Sequence, residues 1–253
     1  MLLCIDIGNT NTVLATFTDD TIVHSWRIKT DARATADELG LLYRGLLAAD
    51  AVEITGIAAS STVPAAMRSL RSMINRYYGG MPTVIVEPGV RTGVQLAIDN
   101  PKEVGADRVV NTLAAYAQFG GPAIVVDFGT STNFDAVSER GEFLGGVLAP
   151  GVEISVDALA ARAAQLRKVE LVKPPRVIGK NTVECLQAGV VYGFAGQVDG
   201  VVRRMTAELG GSVRAVIATG GLASVVIDEC ETVTHHEPML TLHGLRLIYE
   251  RNR

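Results

Sequence analysis

Polar and apolar positions divide this chain into short apolar runs and longer stretches with helical periodicity. Residues 2–7 are apolar except for Asp6, the pattern of a strand buried on both faces. Residues 12–18 mix apolar and hydroxyl side chains, Asp19-Asp20 is a turn, and 21–28 alternate as a third strand does. Thr35-Ala36-Asp37-Glu38 is a capping box, in which the hydroxyl and the carboxylate satisfy free amide protons. Leu39, Leu42, Tyr43, Leu46 and Leu47 follow at helical spacing. Residues 54–60 read as a strand. Thr62 and Pro64 open a helix with Val63, Met67, Leu70, Ile74 and Tyr77 on one face, and Gly79-Gly80 ends it. A short strand at 83–87 completes the order βββαβαβ, which predicts an α/β domain with a mixed sheet.

Residues 88–99 are irregular and read as a crossover. Asn100-Pro101-Lys102-Glu103 predicts a helix start, with Asn as cap and Pro at the first helical position. That helix should run to about Gln118, and Gly120-Gly121-Pro122 breaks it. Strands are expected at 123–128, 133–137 and 142–148, then a helix over 154–166 and a charged, proline-containing loop over 166–178. Asn181-Thr182-Val183-Glu184 caps the longest helix. Its apolar stripe is Val183, Leu186, Val190, Phe194, Val198, Val201 and Met205. A second stripe, Gly189, Gly193, Gly196 and Gly200, predicts close approach by another backbone, since each interior glycine costs roughly 1 kcal/mol against alanine. A strand over 212–218, Thr219-Gly220-Gly221, a short helix, a strand near 232–235 and a helix from Leu240 finish the chain. The second half therefore repeats the first with extra helices, and a boundary is expected between 1–98 and 99–253.

The two halves share one construction. Asp6-Ile7-Gly8-Asn9-Thr10-Asn11-Thr12-Val13 and Asp127-Phe128-Gly129-Thr130-Ser131-Thr132-Asn133 each end an apolar strand in a carboxylate and a small polar turn, in matching order. Such a turn aims backbone N–H groups in one direction and cradles an anion. A carboxylate beside phosphates repels them unless a cation intervenes, so Asp6 and Asp127 imply metal ions or metal-bound water. A single copy is better explained as a hairpin with a side-chain-to-backbone bond; the repetition reverses that balance in favour of a phosphate role. The chain lacks GxxxxGK[ST], and each turn leads into a strand, which excludes a P-loop and a dinucleotide fingerprint.

Composition narrows the classes. The 253 residues carry 48% hydrophobic and 20% charged residues and a net charge of −4, so no global basic field attracts nucleic acid or an acidic membrane surface. Cys4, Cys185 and Cys230 are scattered, which fits a reducing compartment and no disulfide framework. No basic n-region precedes the first strand and no apolar run spans a bilayer, so a cytoplasmic protein is expected. His24, His235, His236 and His243 form no metal pattern. Three further segments each admit two accounts. In Gly105-Ala106-Asp107-Arg108, Asp107 suits a base and Arg108 a fork for a carboxylate; a solvated helix N-terminus accounts for both as well. Thr219-Gly220-Gly221 suits a nucleoside or a plain strand–helix turn. Thr182 suits a ligand at a helix N-terminus or a capping turn.

The motif order Asp6–Thr12, then 99–108, then 127–132 resembles type III pantothenate kinase. So do Gly145-Gly146-Val147-Leu148-Ala149-Pro150-Gly151, the segment 179–184, and Ala218-Thr219-Gly220-Gly221. The resemblance runs over almost the whole chain. It implies membership of the acetate kinase, sugar kinase, Hsp70 and actin superfamily, hence duplicated actin-like (ribonuclease H-like) βββαβαβ halves with a central cleft. It implies phosphoryl transfer from ATP to the primary hydroxyl of pantothenate, the first step of coenzyme A synthesis. Residues 6–13 (Ile7 and Val13 included), Gly129, Thr130, Ser131, Gly220 and Gly221 would bind ATP, with Asp6 organising Mg2+. Asp107 would be the catalytic base. Gly105, Ala106, Asp107, Arg108 and Thr182 would bind pantothenate, with Thr182 supplied by a homodimer partner. Asp127 would hold a monovalent cation, K+ or NH4+. The glycine-striped helix would then serve subunit packing. Ser131 and Asn133 depart from the commoner Ala and Thr of the second turn, and 161–166 departs from commoner versions of that helix end. A non-catalytic nucleotide-binding regulator and another superfamily kinase for a sugar or acetate are the alternatives; residues 105–108 and the chain length speak against the sugar or acetate kinase, and Asp107, with the acidic balance and the absent helix-turn-helix, against the regulator.

Overall fold

A computed structural model describes residues 1–162 and 169–253. The chain separates into two compact units. The first comprises 1–94, 100–114 and 240–253; the second comprises 95–99 and 115–239. This differs from a single boundary at 98/99. The C-terminal helix returns to the first unit, a long-range packing that no local composition change announces.

The first unit is built on β1 (Leu2–Ile7), β2 (Asn11–Thr18), β3 (Thr21–Lys29), β4 (Gly56–Ser61) and β5 (Thr83–Ile85), in the sheet order β3-β2-β1-β4-β5. β1 runs antiparallel to β2 and parallel to β4. Alternation sorts the strand β1 between two faces. Leu3, Ile5 and Ile7 join the core formed with α1 (Ala36–Ala49) and α2 (Pro64–Tyr77). The expected capping box at Thr35 and Glu38 is present at the start of α1. Cys4 and Asp6 lie on the other face, where Cys4 feels the charges of Arg246 and Glu250 on α7 (Leu240–Asn252).

The helix expected from Asn100 is two pieces. Asn100 caps only a single 3-10 turn, Pro101–Glu103, and Val104 is extended (φ −79°, ψ 125°). The α-helix α3 spans Ala106–Phe119 and restarts on the Gly105 carbonyl, which accepts from Arg108 and Val109 N–H. The same Asn-Pro-x-Glu signature serves a short turn as well as a long helix, because both leave the same first amides unpaired.

The second unit repeats the sheet. β6 (Ala123–Phe128), β7 (Ser131–Val137), β8 (Phe143–Pro150), β9 (Ala215–Thr219) and β10 (His235–His236) lie in the order β10-β9-β6-β7-β8. Counted from β6, this is the order and sense of the first sheet, with β7 antiparallel and β9 parallel to β6. The result is α/β with duplicated halves. Ile124, Val126 and Phe128 pack against α4 (Val152–Arg162), α5 (Thr182–Glu208) and α6 (Ala223–Val226). The expected continuation of α4 to Leu166, and the departures within 163–166, lie outside the described residues. Among the described residues no backbone packs against Gly189, Gly193 or Gly196 of α5. A Cβ added at Gly189, Gly193 or Gly196 meets nothing within 4 Å, and these positions are exposed.

Candidate active site

The β1–β2 turn is held from three sides. Gly8 N–H donates to the Asn11 carbonyl at 3.0 Å. Thr30, one residue beyond β3, donates its hydroxyl to the Gly8 carbonyl (2.8 Å) and its N–H to the Thr10 carbonyl (2.9 Å), and lies 2.9 Å from the Thr12 hydroxyl. Asn9, Thr10 and Asn11 stay exposed at the tip. Ile7 is buried in the core, so only its backbone can serve a ligand at the turn. Val13 sits opposite Asp6, on the same face of the sheet.

Asp6 is partly buried and shares its sheet face with Ser60, its register partner on β4. The Ser60 hydroxyl donates to Asp6 Oδ1 at 2.8 Å. Burial pushes the Asp6 carboxyl up to about 6, against the Ser60 bond, and the negative charge of Asp107 pushes it further the same way. Asp107 itself is raised, chiefly by burial; the Arg108 N–H and guanidinium and its own N–H oppose that rise. Gly105 carries no Cβ where the Asp107 carboxylate folds back over it. Residues 105–108 thus stand in the same unit as the Asp6 turn, and the charge of Asp107 acts on a carboxyl a hundred residues earlier in the chain.

Two acidic groups held in mutual repulsion are relieved by a cation. Hard carboxylate oxygens suit magnesium, which is held by one or two carboxylates plus substrate phosphates and water. Among the described residues no cluster of three or more His, Cys, Asp or Glu side chains forms a complete metal cage.

The second turn belongs to the other unit. Gly129 N–H donates to the Ser131 carbonyl (3.0 Å), Ser131 Oγ to Asn133 Oδ1 (2.6 Å), and Gly151 N–H to the Thr130 carbonyl (3.2 Å). The register exposes a difference that the matching letters hide. Asp6 pairs with Val13, but Asp127 pairs with Asn133, so the second turn is one residue shorter. Thr12 thus corresponds to Thr132, and the offset of 121 before the turn becomes 120 after it. Gly220 follows β9 with φ +91°, and an added Cβ there would stand 2.5 Å from Asp127 Oδ1 and 2.6 Å from the Phe128 backbone. Gly220 is therefore required for the 220–221 turn to close over Asp127. Gly221 is exposed just beyond it. Thr182 is the exposed first residue of α5, beside the cap in which Asn181 accepts from Glu184 N–H at 3.0 Å.

A family model described as type III pantothenate kinase matches residues 2–204. The chain belongs to the type III pantothenate kinase family. A type III pantothenate kinase of Salinispora arenicola is 76% identical over 252 residues, covering 100% of both chains. One of Acidothermus cellulolyticus is 67% identical over 254 residues, covering 100% of this chain and 99% of its own. The solved ROK hexokinase of Thermus thermophilus superposes with a TM-score of 0.56 at 13% identity, covering 100% of this chain and 99% of that one. At that identity the likeness speaks for the sugar-kinase fold alone. Among the described residues no helix is long and apolar enough to cross a membrane.

Within the first unit the structure brings together Asp6, its turn, Ser60 and residues 105–108. Within the second it brings together Asp127, the 129–131 turn and Gly220. Thr30 and Ser60 escaped sequence reasoning. Each is an ordinary hydroxyl residue in or beside a strand, and the signal that finds it is sheet register, not motif.

Proposed function

We propose that this chain transfers the γ-phosphoryl group of ATP to the primary hydroxyl of pantothenate, giving 4'-phosphopantothenate and ADP in the first step of coenzyme A biosynthesis. The end-to-end match to the family carries the proposal. The charge of Asp107 acting on Asp6 within one unit supports it. Phosphoryl transfer asks a protein chiefly for positioning and charge stabilisation. The amides and hydroxyls of residues 8–12 orient the ATP phosphates, and those of 129–131 supply a second cradle. Asp6, with Asp107 beside it, would hold Mg2+. When bound, that ion neutralises phosphate charge. Asp107 accepts the hydroxyl proton of pantothenate as the new P–O bond forms, and its burial-raised pKa suits a general base. Arg108 receives the pantothenate carboxylate as a two-pronged donor. Asp127 holds K+ or NH4+, and Gly220 with Gly221 borders the nucleoside.

The assembly we propose is a cytoplasmic homodimer in which α5 meets its counterpart through Gly189, Gly193 and Gly196, and Thr182 reaches the partner's substrate. Purified protein with ATP, Mg2+ and K+ should release ADP only when pantothenate is added. Release that follows a sugar or acetate, or no release at all, would overturn the proposal. Replacing K+ by Na+ should depress turnover; equal rates in the two salts would remove the monovalent-cation role from Asp127.

A further inference from the structure

We propose that Ser60 is a positioning residue for phosphoryl transfer: it holds one oxygen of the Asp6 carboxylate and so presents the other to the divalent cation. The inference rests on the role proposed above for Asp6. Its starting point is the register of a parallel strand pair, in which β4 sets Ser60 directly beside Asp6. Ser60 is 0% exposed, and its hydroxyl donates to Asp6 Oδ1 at 2.8 Å. A buried hydroxyl is costly unless bonded, and a bond to an ionised carboxylate is stronger than a neutral one.

The neighbours isolate this function. Ile57 and Ala59 turn to the opposite, apolar face of β4. Ala58, on the face of Ser60, has no polar side chain. The adjacent Ser61 is engaged otherwise, accepting Val63 N–H at 2.9 Å where the chain enters α2. The two serines thus divide their work: Ser61 shapes the strand–helix junction, and Ser60 addresses the site. The torsion that orients a free aspartate carboxylate is broad, so an unheld Asp6 samples many orientations. A donor fixed in the strand removes that freedom on one oxygen.

The duplicated unit repeats the placement. Asp127 on β6 stands in parallel register with Thr219 on β9, as Asp6 does with Ser60, and Thr219 is 2% exposed. Both halves therefore place a buried hydroxyl residue on the parallel strand beside the site aspartate. Loops, turns and flanking helices differ between the halves, while this register position keeps a buried hydroxyl residue.

Groups that orient a metal-binding carboxylate typically contribute about 10–100-fold to metal affinity. Mn2+ binding to the full-length protein in the presence of ADP, followed by loss of the free-Mn2+ electron paramagnetic resonance signal, tests the inference without turnover. Ser60→Ala should weaken Mn2+ binding by about 10–100-fold with an unchanged circular dichroism spectrum. Ser60→Cys, close in volume and a poor donor, should behave alike and serves if the alanine variant fails to fold. Ser60→Thr keeps the hydroxyl and should bind near the wild-type level. Asp6→Asn should lose Mn2+. Wild-type binding by Asp6→Asn would overturn the role of Asp6 and this inference with it. Loss in Asp6→Asn with wild-type binding in Ser60→Ala and Ser60→Cys would overturn the Ser60 role alone. Equal weakening in Ser60→Thr and Ser60→Ala would assign the effect to packing and overturn it too.

Discussion

Opposing demands meet at Asp6. Its site calls for a charged carboxylate, yet burial and the neighbouring Asp107 push the carboxyl up to about 6. An unfolded aspartate titrates near 3.9. Between those values the folded state binds the proton and the unfolded state does not, so this group's contribution to stability falls as pH rises. It is fully present below about pH 4 and lost above about pH 6. Without metal or nucleotide, Asp6→Asn should therefore be more stable than the wild type at pH 7, by on the order of 2 kcal/mol, with the gap closing toward pH 4. Thermal melts across that range check the sign. Mn2+ capture by the metal-free protein should move the opposite way, weakening as pH drops through about 6 and the carboxylate is protonated. Asp107→Asn should lower kcat by about 10²–10⁴-fold while the fold persists; steady-state ADP release measures it. The carboxylates were legible in the sequence because each follows an apolar run and precedes a polar turn. Ser60 and Thr30 were not, because their partners lie 54 and 22 residues away and meet them through sheet register.

Among the elements, α5 presents the open question of its exposed glycines. Among the described residues, a Cβ added by alanine at Gly189, Gly193 or Gly196 meets no atom within 4 Å. Each replacement should strengthen the isolated helix by roughly 0.5–1 kcal/mol. If a second α5 packs on that face, the added methyl groups instead block its approach. The triple variant should then sediment as a monomer with its helicity intact; a stable dimer would remove the glycine face from the interface. Most elements were readable from local chemistry. β1 and β6 fall on their expected residues, and α1 follows its capping box. The start of α3 was misjudged because Asn100 and Pro101 satisfy a 3-10 turn as readily as a helix.

On the scale of the molecule, α7 ties the end of the chain to its beginning. Leu240, Leu242, Leu245 and Ile248 are buried, and α7 contacts β1, β4 and β5. Burying each such side chain contributes about 1.5–3 kcal/mol, so together they approach the whole stability of an ordinary domain, roughly 5–15 kcal/mol. A chain ending at Met239 should lose the cooperative melt of the first unit; an unchanged thermal transition would contradict that account.

Local chemistry in the sequence determined the order of strands and helices and the two aspartate turns. Alternation, capping residues and turn residues act between near neighbours, so a linear reading can find them. Only the tertiary structure decided that 100–114 and 240–253 join the first unit, that the second turn is one residue shorter, and that Ser60 meets Asp6. Those outcomes depend on strand register and long-range packing, which pair residues by their place in a sheet and not by their distance along the chain.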